Sequence, residues 1–323
     1  MINWLNSHRL SFKYLKGIIK NNNDESINYV DETYQGLDNE KTPLRIFKSK
    51  KNQSITFILF PGASPFAEKH PGMTTLATAI MNLGFNVFIP RIPPLKKLNI
   101  KSNNVEWFAR AYEQISFRND VIKNQIIAVG ISFGGSILLK ATLDKRMQSN
   151  PPKSILMYGS CYDIESGLSF LVSGKITNGD KISYIKPHDW GLIVLFHNFI
   201  KKIDVGFETT QIEKILEARV ADNLPKVEKL KHQLSNRDLD YVENILSGEC
   251  TPQIEKHIKK ILISQKESLQ SISPSSFCDK ILMKVFIMHG ANDSMVPYTE
   301  SIKLSQHLPN NQLLISHLYE HKE

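Results

Sequence analysis

The chain has 323 residues, 41% of them hydrophobic and 22% charged, a balance that supports a sizeable buried core and excludes a fibrous or disordered chain. Its formal net charge is +8 with a pI near 9.2, but the lysines and arginines are interspersed with acidic residues, which argues against a nucleic-acid partner. Cys161, Cys250 and Cys278 stand far apart without CxxC spacing, so neither a disulfide framework nor a zinc site is indicated, and a reducing, cytoplasmic compartment fits best.

In chain order, Leu5, His8, Phe12, Leu15 and Ile19 fall on one helical stripe, with Arg9, Lys13, Lys16 and Lys20 at other positions. Residues 2–20 therefore read as a basic amphipathic helix that packs on the domain or, in a second reading, makes peripheral contact with a membrane surface. Residues 21–28 are polar, so 1–30 form an N-terminal segment and linker. From residue 43 short β-rich runs alternate with helix-length amphipathic stretches. Strands are predicted at 44–48, 55–60, 86–90, 125–131 and 154–158, with helices at 72–83, 104–118 and 134–145. Residues from about 160 to 277 break this rhythm with charged helical stretches at 211–223, 237–246 and 253–269. Alternation resumes with a strand at 284–288, a helix around 299–307 and a strand at 312–316. The pattern predicts an α/β fold with a mostly parallel central sheet and flanking helices, its core at 31–160 and 278–323 and a helical insertion at 161–277. No apolar run approaches the roughly eighteen residues of a membrane-spanning helix. The longest candidate, 190–200, is broken by His197 and Asn198, and it either packs in the core or lines an apolar pocket.

Chemistry concentrates where predicted strands end. Gly130-Ile131-Ser132-Phe133-Gly134 has the GxSxG pattern, lying where a strand gives way to a helix. A serine on such a sharp turn adopts strained backbone angles, and neighbouring chain passes close only where side chains are missing, hence Gly130, Gly134 and Gly135. The helix that begins there points amide hydrogens at the hydroxyl, and the amide of Phe133 is the expected first oxyanion donor.

From about Thr42 onward the chain resembles the α/β-hydrolases, with the insertion resembling a cap domain. The resemblance implies that Ser132 is a nucleophile. It also implies that Phe60-Pro61-Gly62-Ala63-Ser64 stands where the family has its His-Gly-X oxyanion loop, here with proline for histidine. Ala63 then supplies the second oxyanion amide, with Ser64 as its substitute. Val285-Phe286-Ile287-Met288-His289-Gly290-Ala291-Asn292-Asp293, followed by Val296-Pro297, resembles the family's late strand and acid loop. Asp293 is the implied acid, Asp163 the runner-up, and His289 a brace for the loop. Two histidines compete as base. His321 is preferred to His317, because a base reaching back over the strand ends needs a loop longer than direct abutment on the strand allows. The family normally continues into a final helix, for which the sequence offers no segment after the base.

The expected function is a serine hydrolase acting on a small-molecule acyl ester, a carboxylic ester with a leaning towards lipid-derived ones, through an acyl-enzyme on Ser132. No cofactor and no metal are implied: His188, Asp189 and His197 lack ligand spacing, and residues 167–176 lack the spacing of a phosphate-binding loop. Two alternatives stay open, an acyltransferase using the same serine and a non-catalytic ligand-binding relative.

Overall fold

Apolar runs short enough to be strands, each followed by an amphipathic helix, bury both of their faces only in a sheet covered on two sides. The computed structural model describes residues 8–14, 17, 29–51 and 54–317. Its strands are β1 (Val30–Gln35), β2 (Lys41–Phe47), β3 (Thr56–Phe60), β4 (Asn86–Pro90), β5 (Ile126–Ile131), β6 (Ser154–Tyr158), β7 (Lys175–Asn178), β8 (Lys181–Tyr184), β9 (Val285–Gly290) and β10 (Asn311–Ser316). Eight of them form one sheet in the order β1-β2-β4-β3-β5-β6-β9-β10. β2 pairs antiparallel with both β1 and β4, and every other pair in the sheet is parallel.

Helices α1 (Pro71–Asn82), α2 (Asn104–Ser116) and α3 (Phe133–Ala141) follow β3, β4 and β5. Between β6 and β9 lie α4 (Ile164–Ser173), the β7-β8 hairpin, α5 (Asp189–Phe199), α6 (Thr210–Val220), α7 (Leu224–Lys231), α8 (Asn236–Leu246) and α9 (Pro252–Ile272). α10 (Thr299–His307) joins β9 to β10. The starts of these helices are chemically marked. The Thr251 side chain accepts the Ile254 amide with Pro252 in the first turn of α9, and Ser235 accepts the Asp238 amide at α8.

Successive strand residues point to opposite faces, so the sheet carries two cores. The larger unites Phe60, Phe88, Phe108 and Met157 with Phe196, Ile215, Val242 and Ile258, so the sheet and the helices between β6 and β9 share one apolar interior. α5 is buried on nearly every side within it, which is the core-packing reading of that helix. The smaller core sets Met73, Ala77 and Ile80 of α1 on Phe47, Leu59, Val87, Ile89 and Val129. Beyond it, towards β10, a groove of about 490 Å³ is lined by Leu156, Phe286, Met288 and Leu314.

Several expectations need correction. β1 lies in residues with no predicted strand; its register with β2 is carried by the turn at Gly36 to Glu40. The region read as helical holds the β7-β8 hairpin, in which Gly179, at φ 58°, opens a two-residue loop between Asn178 and Lys181. The helix predicted at 134–145 stops at Ala141, because Asp144 caps a separate turn, Lys145–Gln148. In the amphipathic stretch, residues 8–14 and 17 are helical, but Tyr14 packs on the smaller core while Phe12 is 70% exposed. Leu5, Leu15 and Ile19 lie outside the described residues. Among the described residues no helix is long and apolar enough to cross a membrane.

Phe60 and Phe108 are fully buried and stacked, with ring centroids 4.7 Å apart. Phe108→Ala is expected to lower the unfolding free energy by about 3–5 kcal/mol, measured by urea denaturation.

Candidate active site

β5 ends at Ile131 and α3 begins at Phe133, so Ser132 alone turns the chain. It does so at φ 53° and ψ −132°, a conformation that costs a residue with a side chain about 1–3 kcal/mol. Hydrogen bonds on both sides hold it there. The Ser132 N–H donates to the Tyr158 carbonyl at 2.7 Å, and its carbonyl accepts from the Gly135 N–H and the Ser160 hydroxyl, each at 2.9 Å. The glycines make the turn sterically possible. A Cβ on Gly130 would stand 2.5 Å from the Gly135 Cα, one on Gly134 would overlap the Pro61 carbonyl, and one on Gly135 would overlap the Ser160 hydroxyl. The Ser132 side chain is left half-buried at the tip of the turn, its hydroxyl without a hydrogen-bond partner among the described residues.

The loop leaving β3 runs beside it. A Cβ on Gly62 would lie 3.1 Å from the Ile131 carbonyl oxygen and 3.8 Å from Ser132 Oγ, which brings the next residue, Ala63, to the serine. Among the described residues the amides of Ala63 and Phe133 donate to no backbone acceptor. Phe133 heads α3, where the first N–H groups of a helix have no partner within it. Two amides beside a serine hydroxyl can receive a negatively charged oxygen.

Asp293 follows β9 and is 2% exposed. Its Oδ1 accepts from the amides of Met295 (2.8 Å) and Val296 (2.9 Å), while Oδ2 lies 3.3 Å from His289 Nε2. That ring nitrogen is also 2.9 Å from the Val296 carbonyl, which can only accept, so Nε2 carries the hydrogen. His289 Nδ1 is 2.6 Å from the Ser301 hydroxyl. Both nitrogens of this buried ring are spent inside the loop, and His289 braces it.

Asp163 is committed elsewhere. Its Oδ1 caps α4 by accepting the Ser166 amide at 2.9 Å, and Oδ2 accepts the Ser275 hydroxyl at 3.0 Å. The Asp163 amide donates to Glu300 Oε2 at 2.9 Å, and Glu300, 1% exposed, also accepts from the Ser166 hydroxyl (2.6 Å) and Lys303 Nζ (2.9 Å). Sequence reasoning missed this carboxylate, because a glutamate in the first turn of a charged helix carries no mark of burial. Burial, followed by the charges of Glu300, Asp293 and Asp163, pushes the Cys161 thiol well above its ordinary range. It stays protonated and is no rival nucleophile.

β3, β5, β6, β9 and β10 run parallel, so Ala63, Ser132, Asp293 and His317 all emerge at one edge of the sheet. His317 directly follows β10 and is exposed; the Ala291 amide donates to the Ser316 carbonyl at 2.9 Å, which sets His317 beside the Asp293 loop. His321 lies outside the described residues. The structure thus brings Ser132, Phe133 and Ala63 together and holds Asp293 and His317 at neighbouring strand ends. Among the described residues no group of three or more His, Cys, Asp or Glu is arranged to hold a metal ion.

Solved structures share this architecture. Pyrococcus horikoshii acylaminoacyl peptidase aligns with a TM-score of 0.53 at 11% identity, over 94% of this chain and 39% of that one. Est1E from Butyrivibrio proteoclasticus aligns with a TM-score of 0.50 at 13% identity, over 90% of each chain. The chain is an α/β-hydrolase by fold. A second acylaminoacyl peptidase, in complex with Z-Gly-Gly-Phe-chloromethyl ketone, aligns at 0.52 and 10% identity over 91% of this chain and 37% of that one. The chain therefore spans well under half the length of the acylaminoacyl peptidases it resembles. Residues 208–308 match the BD-FAE family. No curated protein matches the sequence.

Gly134→Ala, which drives a methyl group into the Pro61 carbonyl, is expected to destabilise the fold by about 1–3 kcal/mol in denaturant titration. In the folded protein Cys161 is expected to resist iodoacetamide at mildly alkaline pH and to react only once urea unfolds the chain, as read by mass spectrometry of its peptide.

Proposed function

We propose that this protein is a serine hydrolase that cleaves ester-type substrates, carboxylic esters and lipid-derived ones among them, through an acyl-enzyme on Ser132. The observation that carries this reading is the strained Ser132 turn, with the Phe133 amide at the head of α3 and the Gly62-Ala63 segment close beside it. The match to BD-FAE and the likeness to peptidases support a hydrolytic reaction.

In this mechanism a neutral histidine takes the Ser132 proton as Oγ attacks the ester carbonyl, and the Ala63 and Phe133 N–H groups hold the oxyanion. The imidazolium returns the proton to the departing alkoxide. Water, deprotonated by the same ring, then releases the acid. Asp293 orients the ring and stabilises its charge. Oδ1 is held by two backbone amides, so Oδ2, which also lies beside His289 Nε2, is the oxygen proposed to meet the imidazole of the base. His321 is the proposed base and His317 its runner-up; Asp293 is the proposed acid, and Asp163, whose Oδ1 caps α4, is the runner-up. Residues 161–277 act as a cap over the strand ends, built on the helix α5 that packs in the core. The free thiols of Cys161, Cys250 and Cys278 fit a cytoplasmic setting, and the exposed Phe12 keeps residues 2–20 as the candidate for peripheral membrane contact.

A fluorophosphonate probe is expected to label Ser132 in the folded protein, and Ser132→Ala is expected to lose labelling and to lower kcat on a p-nitrophenyl ester by about 10⁴–10⁶-fold. Asp293→Asn should lower kcat by about 10⁴-fold. His321→Gln should match Ser132→Ala while His317→Gln leaves most activity. Ester hydrolysis that survives Ser132→Ala, with no labelling of Ser132, overturns the proposal.

A further inference from the structure

The loop that carries the Ala63 amide is pinned at its far end by an ion pair between a buried glutamate and a half-buried arginine. Past Ala63, Ser64 Oγ accepts the Phe66 amide at 3.3 Å and its carbonyl accepts the Ala67 amide at 3.2 Å. The Lys69 amide donates to the Phe66 carbonyl at 2.9 Å and the His70 amide to that of Ala67 at 3.2 Å. Residues 64–70 are therefore a run of consecutive tight turns that moves as one piece. Ala67 sits within it at φ 47°, in the left-handed region, which a residue with a side chain keeps only where its surroundings over-determine it.

Those surroundings are identifiable. Glu68, 1% exposed, accepts from both Arg91 Nε (2.9 Å) and Arg91 Nη2 (2.5 Å) in a two-pronged bond. Arg91 is the first residue beyond β4, and its main chain is fixed on both sides. Its amide donates to the Pro43 carbonyl at 2.9 Å, and its carbonyl accepts the Tyr34 hydroxyl at 2.6 Å. The bond to Glu68 holds Arg91 firmly cationic. The loop after β3 is thus tied at one end to the Ser132 turn, through Gly62, and at the other to the end of the neighbouring strand β4.

We infer that Glu68 and Arg91 are positioning residues for the oxyanion hole, setting where the Ala63 amide stands relative to Ser132 Oγ. The inference rests on the serine hydrolase reading. Neither residue touches the substrate. A ground-state ester binds without its carbonyl oxygen seated on that amide, whereas the transition state requires it, so the effect belongs in kcat and not in KM.

The test uses the full-length protein with Glu68→Gln, Arg91→Met, Arg91→Lys and the double variant Glu68→Gln/Arg91→Met. Each is assayed on a soluble p-nitrophenyl ester and for the rate of fluorophosphonate labelling, well below its Tm and with folding checked by circular dichroism. Deleting an oxyanion donor costs about 10²–10³-fold in kcat, and displacing one should cost less. Glu68→Gln and Arg91→Met are expected to lower kcat and the labelling rate together by about 10–100-fold with KM within about twofold. Arg91→Lys, which keeps the charge and loses the fork, should recover part of the loss. The double variant should be no worse than the worse single, since the pair acts as a unit. Wild-type kcat in folded variants, or a loss confined to Tm or KM, overturns the inference; where Arg91→Met does not fold, the near-isosteric Glu68→Gln and Arg91→Lys decide the same question. A wild-type protein without Ser132-dependent turnover overturns the hydrolase reading and this inference with it, whereas an active wild type with indifferent variants overturns this inference alone.

Discussion

The architecture around the site depends on one close approach of backbones. The Pro61-Gly62 segment leaving β3 lies against the Ser132 turn at a distance that admits no side chain at Gly134. On the other flank Gly135 lies against Ser160, which forbids a side chain there too. Missing Cβ atoms let two strand ends converge until their amides flank one hydroxyl. The strained backbone of Ser132 follows from the same convergence, since a single residue must reverse direction between β5 and α3. A hydrogen bond to the Tyr158 carbonyl and two from the Gly135 amide and the Ser160 hydroxyl keep it from relaxing.

Around this centre, polar groups join segments far apart in the chain. Glu300 ties the start of α4 to α10, and the Ile164 amide donates to Ser273 Oγ at 3.0 Å, joining the first residue of α4 to the residue just past α9. Midway through that region the His188 amide donates to the Ser294 carbonyl at 2.9 Å, one residue from Asp293. A buried carboxylate is tolerated where its lone pairs are filled, and Glu300 meets that condition with three donors. The region between β6 and β9 is thereby fastened to the loop that holds Asp293.

Much of the fold was legible because its signals are local. The alternation of β-rich runs with amphipathic stretches marked the parallel strands, and Gly130, Gly134 and Gly135 around Ser132 marked the turn between β5 and α3. The β7-β8 hairpin escaped this reading although Ile176 and Ile182 alternate with polar residues around Gly179-Asp180. Four-residue strands are too short to stand out against neighbouring helices. The outward side of residues 8–14 was also misjudged: the stripe through Phe12 has a helical period, but the face that meets the domain is that of Tyr14.

What the sequence by itself determined is the local structure that needs only a few adjacent residues: the one-residue turn at Ser132, the glycines that permit it and the strand end and loop from His289 to Val296. Only the tertiary structure decided the long-range polar pairings. Glu68 meets Arg91 across 23 residues and Asp163 meets Glu300 across 137, and in each case the sequence shows a charged residue with no sign that it is buried. The physical reason is that burial of a charge depends on a partner brought close by folding. Strand-to-helix turns are written in local backbone sterics, whereas ion pairs and filled lone pairs exist only after the sheet has closed around them.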